Sequence, residues 1–222
     1  MNYLQLARRA TRFILAFALV AGITVAAQIP RAHAGDAAKS HGRESVVLAG
    51  GCFWGMEAVF GALAGVERVV PGYSGGDRAS AHYEIVSTGT TGHAESVEIV
   101  YDPTRISFRR LLDVFFLIAH DPTQRDRQGP DVGRQYRSAI FYRTEEQRSI
   151  AAAYVRALDE GKTLAAPVAT SIEPLRAFYP AEEYHRHYVA RHPADPYVAF
   201  NDLPKLARLR ERFPGLVASA PN

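Results

Sequence analysis

The sequence predicts an α+β protein built as a two-layer sandwich, with helices packed on a sheet. Runs with strand-like alternation are interleaved with runs that repeat apolar residues at helical spacing, from about residue 45 to residue 212. No internal repeat, low-complexity run or linker divides the 188 residues from 35 to 222, a length that suits one domain with its own core. Periodicity alone does not fix the order of the strands.

The first predicted elements are a strand, a glycine turn and a helix. Residues 45–49 form a short apolar run typical of a buried strand. After Cys52, apolar residues follow at helical spacing, namely Met56, Val59, Phe60 and Leu63. A second strand is predicted at residues 66–72 and a glycine-rich loop at 73–77. The loop glycines match no phosphate-loop motif, so we interpret them as loop conformation.

The middle of the chain predicts a strand that carries an acidic residue. Residues 94–101 alternate well enough to form a strand whose more apolar face holds Glu95, Val97, Ile99 and Tyr101. After Asp102-Pro103, Ser107 is placed to cap a helix with an apolar stripe that ends at Ala119. A carboxyl group on an apolar strand face is desolvated, which predicts a raised pKa for Glu95. An ion pair with one of the many arginines is the alternative for this residue.

The second half of the chain begins with a polar, arginine-rich stretch at residues 123–137, which predicts a long ordered loop with a functional role. Thr144 and Gln147 have capping-box spacing at the start of a helix that Gly161 can end. The other predicted elements are strands at 138–142 and 168–173 and helices at 182–191 and 205–212.

The first 34 residues have the features of a cleavable export signal. Three arginines precede an uncharged stretch over residues 13–27, and Ala32-His33-Ala34 has the pattern of a cleavage site. The uncharged stretch is shorter than the ~20 residues that a spanning helix needs, which favours a cleaved signal over a retained anchor. Arg8-Arg9 leaves both the general and the twin-arginine export routes open.

We therefore expect a signal at residues 1–34, a flexible leader at 35–43 and a single domain at 44–222, in a periplasmic protein with no stable membrane association after cleavage. The formal net charge of the whole chain is +3. Removal of the signal removes four arginines and no acidic residue, which leaves −1. The positive net charge of the whole chain therefore does not indicate a nucleic-acid partner.

Cys52 is the one cysteine in the chain, and it lies in Gly50-Gly51-Cys52-Phe53-Trp54-Gly55, where a predicted strand gives way to a predicted helix. A thiol at a helix N-terminus faces unpaired N–H groups and the positive end of the helix dipole, which favour the thiolate. A lone cysteine forms no internal disulfide, and an activated thiol in an oxidising compartment makes most sense if oxidation belongs to its reaction cycle. The alternative is a small buried hydrophobic residue.

Several short motifs occur in one order along residues 47–201, and together they resemble the type A peptide methionine sulfoxide reductases. The motifs are Gly51-Cys52-Phe53-Trp54-Gly55, Gly72-Tyr73-Ser74-Gly75-Gly76, Gly92-His93-Ala94-Glu95, Tyr101-Asp102-Pro103, His120-Asp121-Pro122, Gly129-Pro130-Asp131, Gln135-Tyr136-Arg137-Ser138 and Tyr184-His185. For the fold we accordingly expect a ferredoxin-like plait core with long ordered loops, and for residues 44–222 a catalytic reductase domain.

The resemblance implies reduction of the S epimer of methionine sulfoxide, free or in proteins, to methionine, in the repair of oxidised proteins. Cys52 would attack the sulfoxide sulfur and leave the step as a sulfenic acid, while Glu95 would donate a proton to the oxygen. A proton held near neutral pH by a desolvated carboxyl fits this role.

Five further site residues follow from the same resemblance. Tyr83 and Tyr136 would hydrogen-bond the sulfoxide oxygen, and Asp131 would support that polar shell. Phe53 and Trp54 would form an apolar pocket for the methyl group of the substrate. Taken alone, each tyrosine also fits a core position with a satisfied hydroxyl, and Asp131 also fits an ordinary turn after Pro130.

The chain departs from much of that family because it has no second cysteine. An internal resolving disulfide is therefore impossible, and an external thiol must regenerate Cys52 by reaching it directly. We expect a thioredoxin-fold reductant as co-substrate, no bound cofactor, no metal, and a monomer.

Other functions are compatible with an activated cysteine. A cysteine hydrolase or acyltransferase would pair Cys52 with a histidine base, for which His93 and His120 are the candidates. A thiol peroxidase would need no apolar methyl pocket, and a binding module would tolerate loss of the thiol. We interpret the histidine- and acid-rich stretch around His185 as solvated polar surface rather than a metal site.

Overall fold

The structure, a computed structural model, describes residues 42–219. The export signal predicted at residues 1–34 lies outside the described residues, as does nearly all of the leader predicted at 35–43. Strands and helices alternate along the described chain, which confirms a mixed α/β fold. None of the helices within residues 42–219 is long and apolar enough to span a membrane.

Eight strands are present in the described part of the chain. They are β1 (Glu44–Gly50), β2 (Val66–Ser74), β3 (Ala94–Tyr101), β4 (Arg127–Gln128), β5 (Asp131–Val132), β6 (Ser138–Tyr142), β7 (Ser171–Pro174) and β8 (Phe178–Pro180). Six of them form one sheet in the order β7-β6-β1-β3-β2-β8, and β4 pairs with β5 in a small separate ribbon.

Six α-helices are present in the same residues, four of them between strands and two after β8. They are α1 (Phe53–Gly61), α2 (Tyr83–Val86), α3 (Phe108–Val114), α4 (Glu145–Glu160), α5 (Tyr188–Arg191) and α6 (Leu203–Arg212). A π-helical turn, Phe115–Ala119, continues α3, and a second one, Val198–Asp202, leads into α6.

The inner four strands, β6-β1-β3-β2, pair with one another in antiparallel fashion, and α1 crosses from β1 to β2 with β3 inserted between the two strands. The edge strand β7 is parallel to β6, and β8 is antiparallel to β2. The ferredoxin-like plait stays a prediction about the inner strands, which β7 and β8 extend on both sides.

The main core lies between one face of the sheet and the helices. Phe60 of α1, Leu111 of α3 and the Phe116 of the π-helical turn are fully or almost fully buried there with Leu48 and Ile99 of the central strands. The opposite face carries a smaller apolar cluster from β1, β3 and β6 that packs on the loop before β8. Helices on one face of a sheet give the two-layer arrangement that the sequence predicts.

Two predicted helix starts are confirmed by their caps. The Ser107 hydroxyl accepts a hydrogen bond from the Arg110 N–H at 3.3 Å, and the Thr144 hydroxyl accepts one from the Gln147 N–H at 3.1 Å. The Gln147 side chain does not complete a capping box, because its amide instead bonds the Arg143 N–H and the Ser45 carbonyl. It thereby ties α4 to β1.

The segment at 182–191 differs from the single helix that its sequence predicts. It contains a 3₁₀ turn, Glu183–His185, and the short helix α5, separated by His187 in a left-handed conformation with φ of 52°. A left-handed residue interrupts the hydrogen-bond ladder of a right-handed helix, so the segment forms two separate turns instead of one helix. The predicted strand at 168–173 is shifted to Ser171–Pro174.

Candidate active site

The turn between β1 and α1 places Cys52 at the start of the helix. Gly51 has φ of +94°, a conformation that favours glycine, and a Cβ there would lie 2.6 Å from the Cγ of Gln128. Cys52 itself is the residue before the first helical residue, Phe53. The glycine therefore lets the chain pass close under the 123–137 loop and present the thiol at the helix N-terminus, as the sequence predicts.

Cys52 opens into a cavity of about 200 Å³. The cavity is lined by Cys52, Phe53, Trp54, Tyr83, Glu95, Asp131, Tyr136 and Tyr197. The structure thus brings together all seven side chains that the sequence predicts for one site, from four separate parts of the chain. The eighth, Tyr197, was not predicted.

Glu95 lies on β3 with 2% of its surface exposed. Its Oε2 atom accepts a hydrogen bond from the Phe53 N–H at 3.1 Å, so the carboxyl group sits over the first turn of α1 beside Cys52. Burial raises the pKa of Glu95 to about 8, the Phe53 hydrogen bond opposes this shift, and the charge of Asp131 adds to it. The prediction of a raised pKa is confirmed, and the carboxyl holds a proton at neutral pH.

Cys52 is 8% exposed, and its pKa is raised well above the usual value for a thiol. Burial is the largest cause, followed by the charges of Glu95 and Asp202, while a hydrogen bond from the Trp54 N–H lowers the pKa. The expectation of a thiolate is therefore wrong for the substrate-free site. The helix N-terminus does favour the anion, but burial outweighs it, and Glu95 already occupies the Phe53 N–H.

Two tyrosine hydroxyls border the cavity as donors. Burial and the charge of Glu95 raise the pKa of Tyr83 to about 12 and raise that of Tyr136 as well, so both hydroxyls stay protonated. The main-chain N–H of Tyr83 donates to Oε1 of Glu182 at 3.0 Å, and Oε2 of the same carboxylate accepts from the Tyr73 hydroxyl at 2.8 Å. Glu182 thus holds the start of α2, where Tyr83 lies.

Asp131 and Tyr197 form a pair at the other side of the cavity. The Tyr197 hydroxyl donates to Oδ2 of Asp131 at 2.5 Å. Burial raises the pKa of Asp131, while this hydrogen bond and the charge of Lys205 oppose the shift. Because Asp131 begins β5 and Tyr197 lies 66 residues further along the chain, the pair joins two distant stretches of chain.

Trp54 forms an aromatic wall with three other rings. Its ring stacks on Tyr188 with centroids 3.7 Å apart and meets Tyr197 edge-on at 6.0 Å, and its Nε1–H donates to Nδ1 of His185 at 3.1 Å. Burial lowers the pKa of His185, so the ring is neutral, and since Nδ1 accepts a hydrogen bond the ring proton lies on Nε2. This wall fixes the orientation of the indole.

The interpretation of His185 as solvated surface is wrong, because only 1% of its surface is exposed. It packs against Phe53 and Tyr83 as well as Trp54. A histidine in a polar stretch gives no local sign of burial, since the rings that cover it come from residues more than a hundred positions away. Tyr197 was missed for the same reason.

The two histidines considered as bases are not among the cavity residues. His120 bonds the Ser138 hydroxyl at 2.7 Å and the Phe115 carbonyl at 2.8 Å, and His93 bonds the Asp77 carbonyl at 2.9 Å. These hydrogen bonds hold both rings in structural positions outside the cavity.

Within residues 42–219 no group of three or more histidine, cysteine or acidic side chains is arranged to hold a metal ion.

One cavity of this mixed α/β fold is thus lined by a buried thiol, a protonated carboxyl group and tyrosine hydroxyls. The model of the family described as peptide methionine sulfoxide reductase matches residues 44–215. The chain belongs to this family of oxidoreductases.

Individual proteins agree with this assignment. The chain is 48% identical over 186 residues to peptide methionine sulfoxide reductase MsrA 2 of Mesorhizobium japonicum, a match that covers 84% of this chain and 95% of that protein. It is 51% identical over 174 residues to MsrA of Thermus thermophilus, with 78% of this chain and 97% of that protein covered.

Solved structures are similar in fold. Mxr1 from Saccharomyces cerevisiae in reduced form has a TM-score of 0.62 at 34% identity, over 68% of this chain and 86% of that chain. Methionine sulfoxide reductase A of Corynebacterium diphtheriae has a TM-score of 0.60 at 36% identity, over 68% and 76% of the two chains.

Proposed function

We propose that this protein reduces the S epimer of methionine sulfoxide, free or within oxidised proteins, to methionine. One observation carries the proposal: the cavity holds the Cys52 thiol next to a carboxyl that keeps a proton at neutral pH. Reduction of a sulfoxide needs a nucleophile for sulfur and a proton for oxygen, which these two groups supply. The choice of the S epimer rests on the type A motifs in the sequence.

In the proposed reaction, Cys52 Sγ attacks the sulfoxide sulfur while Glu95 gives its proton to the sulfoxide oxygen. The resulting hydroxyl group then moves from the substrate sulfur to Sγ: an Sγ–O bond forms, the substrate sulfur–oxygen bond and the transient bond between the two sulfur atoms break, and Cys52 is left as a sulfenic acid. Glu95 recovers a proton from the Cys52 thiol, so no net proton is lost. The methionine sulfur gains two electrons and Cys52 loses two, which balances the step.

The remaining cavity residues orient the substrate. Tyr83 and Tyr136 donate hydrogen bonds to the oxygen as charge develops on it, and Asp131 supports this shell. Phe53 and Trp54 hold the methyl group, because sulfur-bound methyl groups pack favourably on aromatic rings. The buried thiol loses its proton only when the sulfoxide oxygen arrives to accept one, which protects it from oxidation between turnovers.

Regeneration needs two external thiols or one dithiol. The first thiolate attacks the sulfenic acid, releases water and forms a mixed disulfide, and the second thiolate resolves that disulfide and frees Cys52. We propose a thioredoxin-fold dithiol as the donor, because the chain has one cysteine and cannot resolve itself. A single-cysteine mechanism follows from this composition.

We also propose that the mature protein is a monomer and that it acts in the periplasm, the location being inferred from the signal features in residues 1–34. N-terminal sequencing of the protein purified from the periplasmic fraction should begin at Gly35. A protein recovered in the cytoplasm with its first residues intact would contradict this location.

A single-turnover assay tests the reductase proposal. The reduced protein is mixed, without any added thiol, with separated S and R epimers of a methionine sulfoxide peptide. The expected result is about one methionine per Cys52 from the S epimer and none from the R epimer. No methionine from either epimer would overturn the proposal, and equal yields would overturn the stereochemical part alone.

A further inference from the structure

Glu57 lies on the same side of α1 as Trp54, one turn further along, yet it does not line the catalytic cavity. Its surface is 5% exposed, and it faces a separate groove of about 440 Å³ between α1, β2 and the 186–190 segment. Oε2 of Glu57 accepts a hydrogen bond from the His187 N–H at 2.7 Å. Oε1 lies 3.6 Å from Nδ1 of the same residue.

His187 lies between His185 and Tyr188, two of the residues that contact Trp54. Its backbone is left-handed, with φ of 52° and ψ of 31°. That conformation costs free energy for any residue other than glycine, so something must hold it. On one side of it His185 accepts the hydrogen bond from the Trp54 indole, and on the other Tyr188 stacks on the indole ring.

We propose that Glu57 is a positioning residue that holds the left-handed turn at His187 and, through it, keeps His185 and Tyr188 against Trp54. The 185–188 segment is thereby attached to α1 at three points: the indole hydrogen bond, the ring stack and the carboxyl group of Glu57. The consequence for substrate binding rests on the proposed function, in which Trp54 holds the methyl group.

The protonation state of Glu57 is not decisive for this role. Burial raises its pKa to about 7, but a carboxyl oxygen accepts the His187 N–H whether or not the other oxygen carries a proton. An amide oxygen accepts it as well. Glu57→Gln should therefore retain the turn, whereas Glu57→Leu, of similar volume, should lose it.

The test compares these two variants by steady-state kinetics and by tryptophan fluorescence. Trp54 is the only tryptophan in the chain, so its emission reports the indole environment directly. For Glu57→Leu we expect KM for a methionine sulfoxide peptide to rise about tenfold, because the ring that holds the methyl group is displaced, with kcat within about threefold. The emission should shift as well, and Glu57→Gln should match the wild type in both readouts.

A rescue experiment separates positioning from general damage. Glycine adopts the left-handed conformation at little cost, so His187→Gly in the Glu57→Leu background should restore most of the KM and the emission. Glu67→Leu, which removes another carboxyl group from the same groove, is the matched control and should change neither. Glu57→Ala repeats the loss of the acceptor if Glu57→Leu folds poorly.

Wild-type KM and emission in Glu57→Leu and Glu57→Ala would overturn the proposal, as would equal defects in Glu57→Gln or a failed rescue. The fluorescence readout needs no turnover. A protein without reductase activity but with the expected emission changes would therefore contradict the proposed function and leave the positioning role in place.

Discussion

At the scale of single residues, the site depends on two buried groups that both hold protons. Burial raises the pKa of Cys52 and of Glu95, and the charge of an ionised Glu95 raises the pKa of Cys52 further. Glu95 takes the Phe53 N–H of the helix N-terminus, and the Trp54 N–H bonds the thiol but does not offset the effect of burial. Before substrate binds, the site therefore holds an uncharged thiol next to an uncharged carboxyl group. In the proposed reaction this carboxyl group donates its proton to the sulfoxide oxygen.

The first prediction concerns Glu95 as the acid. Its protonated form dominates below about pH 8 and is lost as the pH rises through that value, so kcat/KM should fall above about pH 8. Glu95→Gln keeps the shape but has no acidic proton, and single-turnover rates should drop about 10²–10⁴-fold. Full sulfoxide turnover in this variant, or an unchanged pH limit, would remove the acid role.

A second prediction concerns stability. A carboxyl whose pKa is higher in the folded than in the unfolded protein makes folding less favourable as the pH rises from about 4.5 to about 8. Glu95→Gln should therefore be more stable than the wild type by about 1–3 kcal/mol at pH 7 and show little difference below pH 4.5. Denaturant unfolding at both pH values measures this, with the exposed Glu160→Gln as control, and a destabilised Glu95→Gln at pH 7 would contradict it.

A third prediction concerns the thiol. Without substrate, Cys52 should show no thiolate absorbance in an ultraviolet titration up to about pH 8 and should react slowly with alkylating agents, because its pKa is raised. Cys52→Ser supplies the baseline. A thiolate signal at neutral pH would show that the helix N-terminus dominates after all.

Single residues were predictable where the cause is local. Strand alternation places Glu95 on an apolar face, and that is enough to predict its raised pKa. The raised pKa of Cys52 was not predictable, because the residues that bury and charge its surroundings, such as Asp202, are far away in sequence. The position of Cys52 at a helix N-terminus, taken alone, predicts a lowered pKa instead.

At the scale of elements, α1 carries the site and is packed tightly on its first turn. Gly55 faces the buried pair formed by Asp202 and Lys205, whose Oδ1 and Nζ atoms are 3.2 Å apart. A Cβ on Gly55 would lie 2.1 Å from Oδ1 of Asp202. The glycine therefore lets the segment before α6 close against the helix that bears Cys52.

Two glycines of α1 give a matched test of this packing. Gly55→Ala should destabilise the protein by about 1–3 kcal/mol, since the added methyl group overlaps a buried carboxylate. Gly61→Ala, at the end of the same helix with nothing within 4 Å, should be neutral or stabilising by up to about 1 kcal/mol. Thermal or denaturant unfolding of both variants measures the difference, and equal stabilities would contradict the close approach.

Regular elements were predictable and irregular ones were not. The strands Ala94–Tyr101 and Ser138–Tyr142 agree with prediction to the residue, because each is bounded by clear turn signals. The 182–191 segment was predicted as one helix, since its local composition allows a helix. In the structure this helix is interrupted at His187, whose N–H donates a hydrogen bond to Glu57 of α1. Because the two residues are 130 positions apart, the sequence around His187 does not reveal this contact.

At the scale of the whole molecule, the catalytic cavity lies where β3, the start of α1, the 123–137 loop and the segment around Tyr197 meet. The motifs indicated the members of this site because they resemble a known family. The strand order that brings them together is not encoded in periodicity, and the short edge strand Phe178–Pro180 is too brief to be recognised. The fold class was therefore within reach of the sequence, whereas the sheet topology was not.

The single cysteine also has a consequence for the whole molecule. The free enzyme has no internal route to a disulfide, so turnover should stop after one equivalent unless a thiol is supplied. We expect a thioredoxin-fold dithiol to sustain multiple turnovers and its mutant lacking the second cysteine to be trapped as a mixed disulfide with Cys52. Continued turnover without any thiol would contradict this dependence.

The central claim is that Cys52 takes the oxygen of the sulfoxide. Its most direct test is mass spectrometry of the intact protein and its Cys52 peptide after one turnover with an S-sulfoxide peptide labelled with heavy oxygen. We predict one labelled oxygen on Cys52, in step with the methionine formed, and none in Cys52→Ser. Methionine formed without label on Cys52, or label on another residue, would contradict the account.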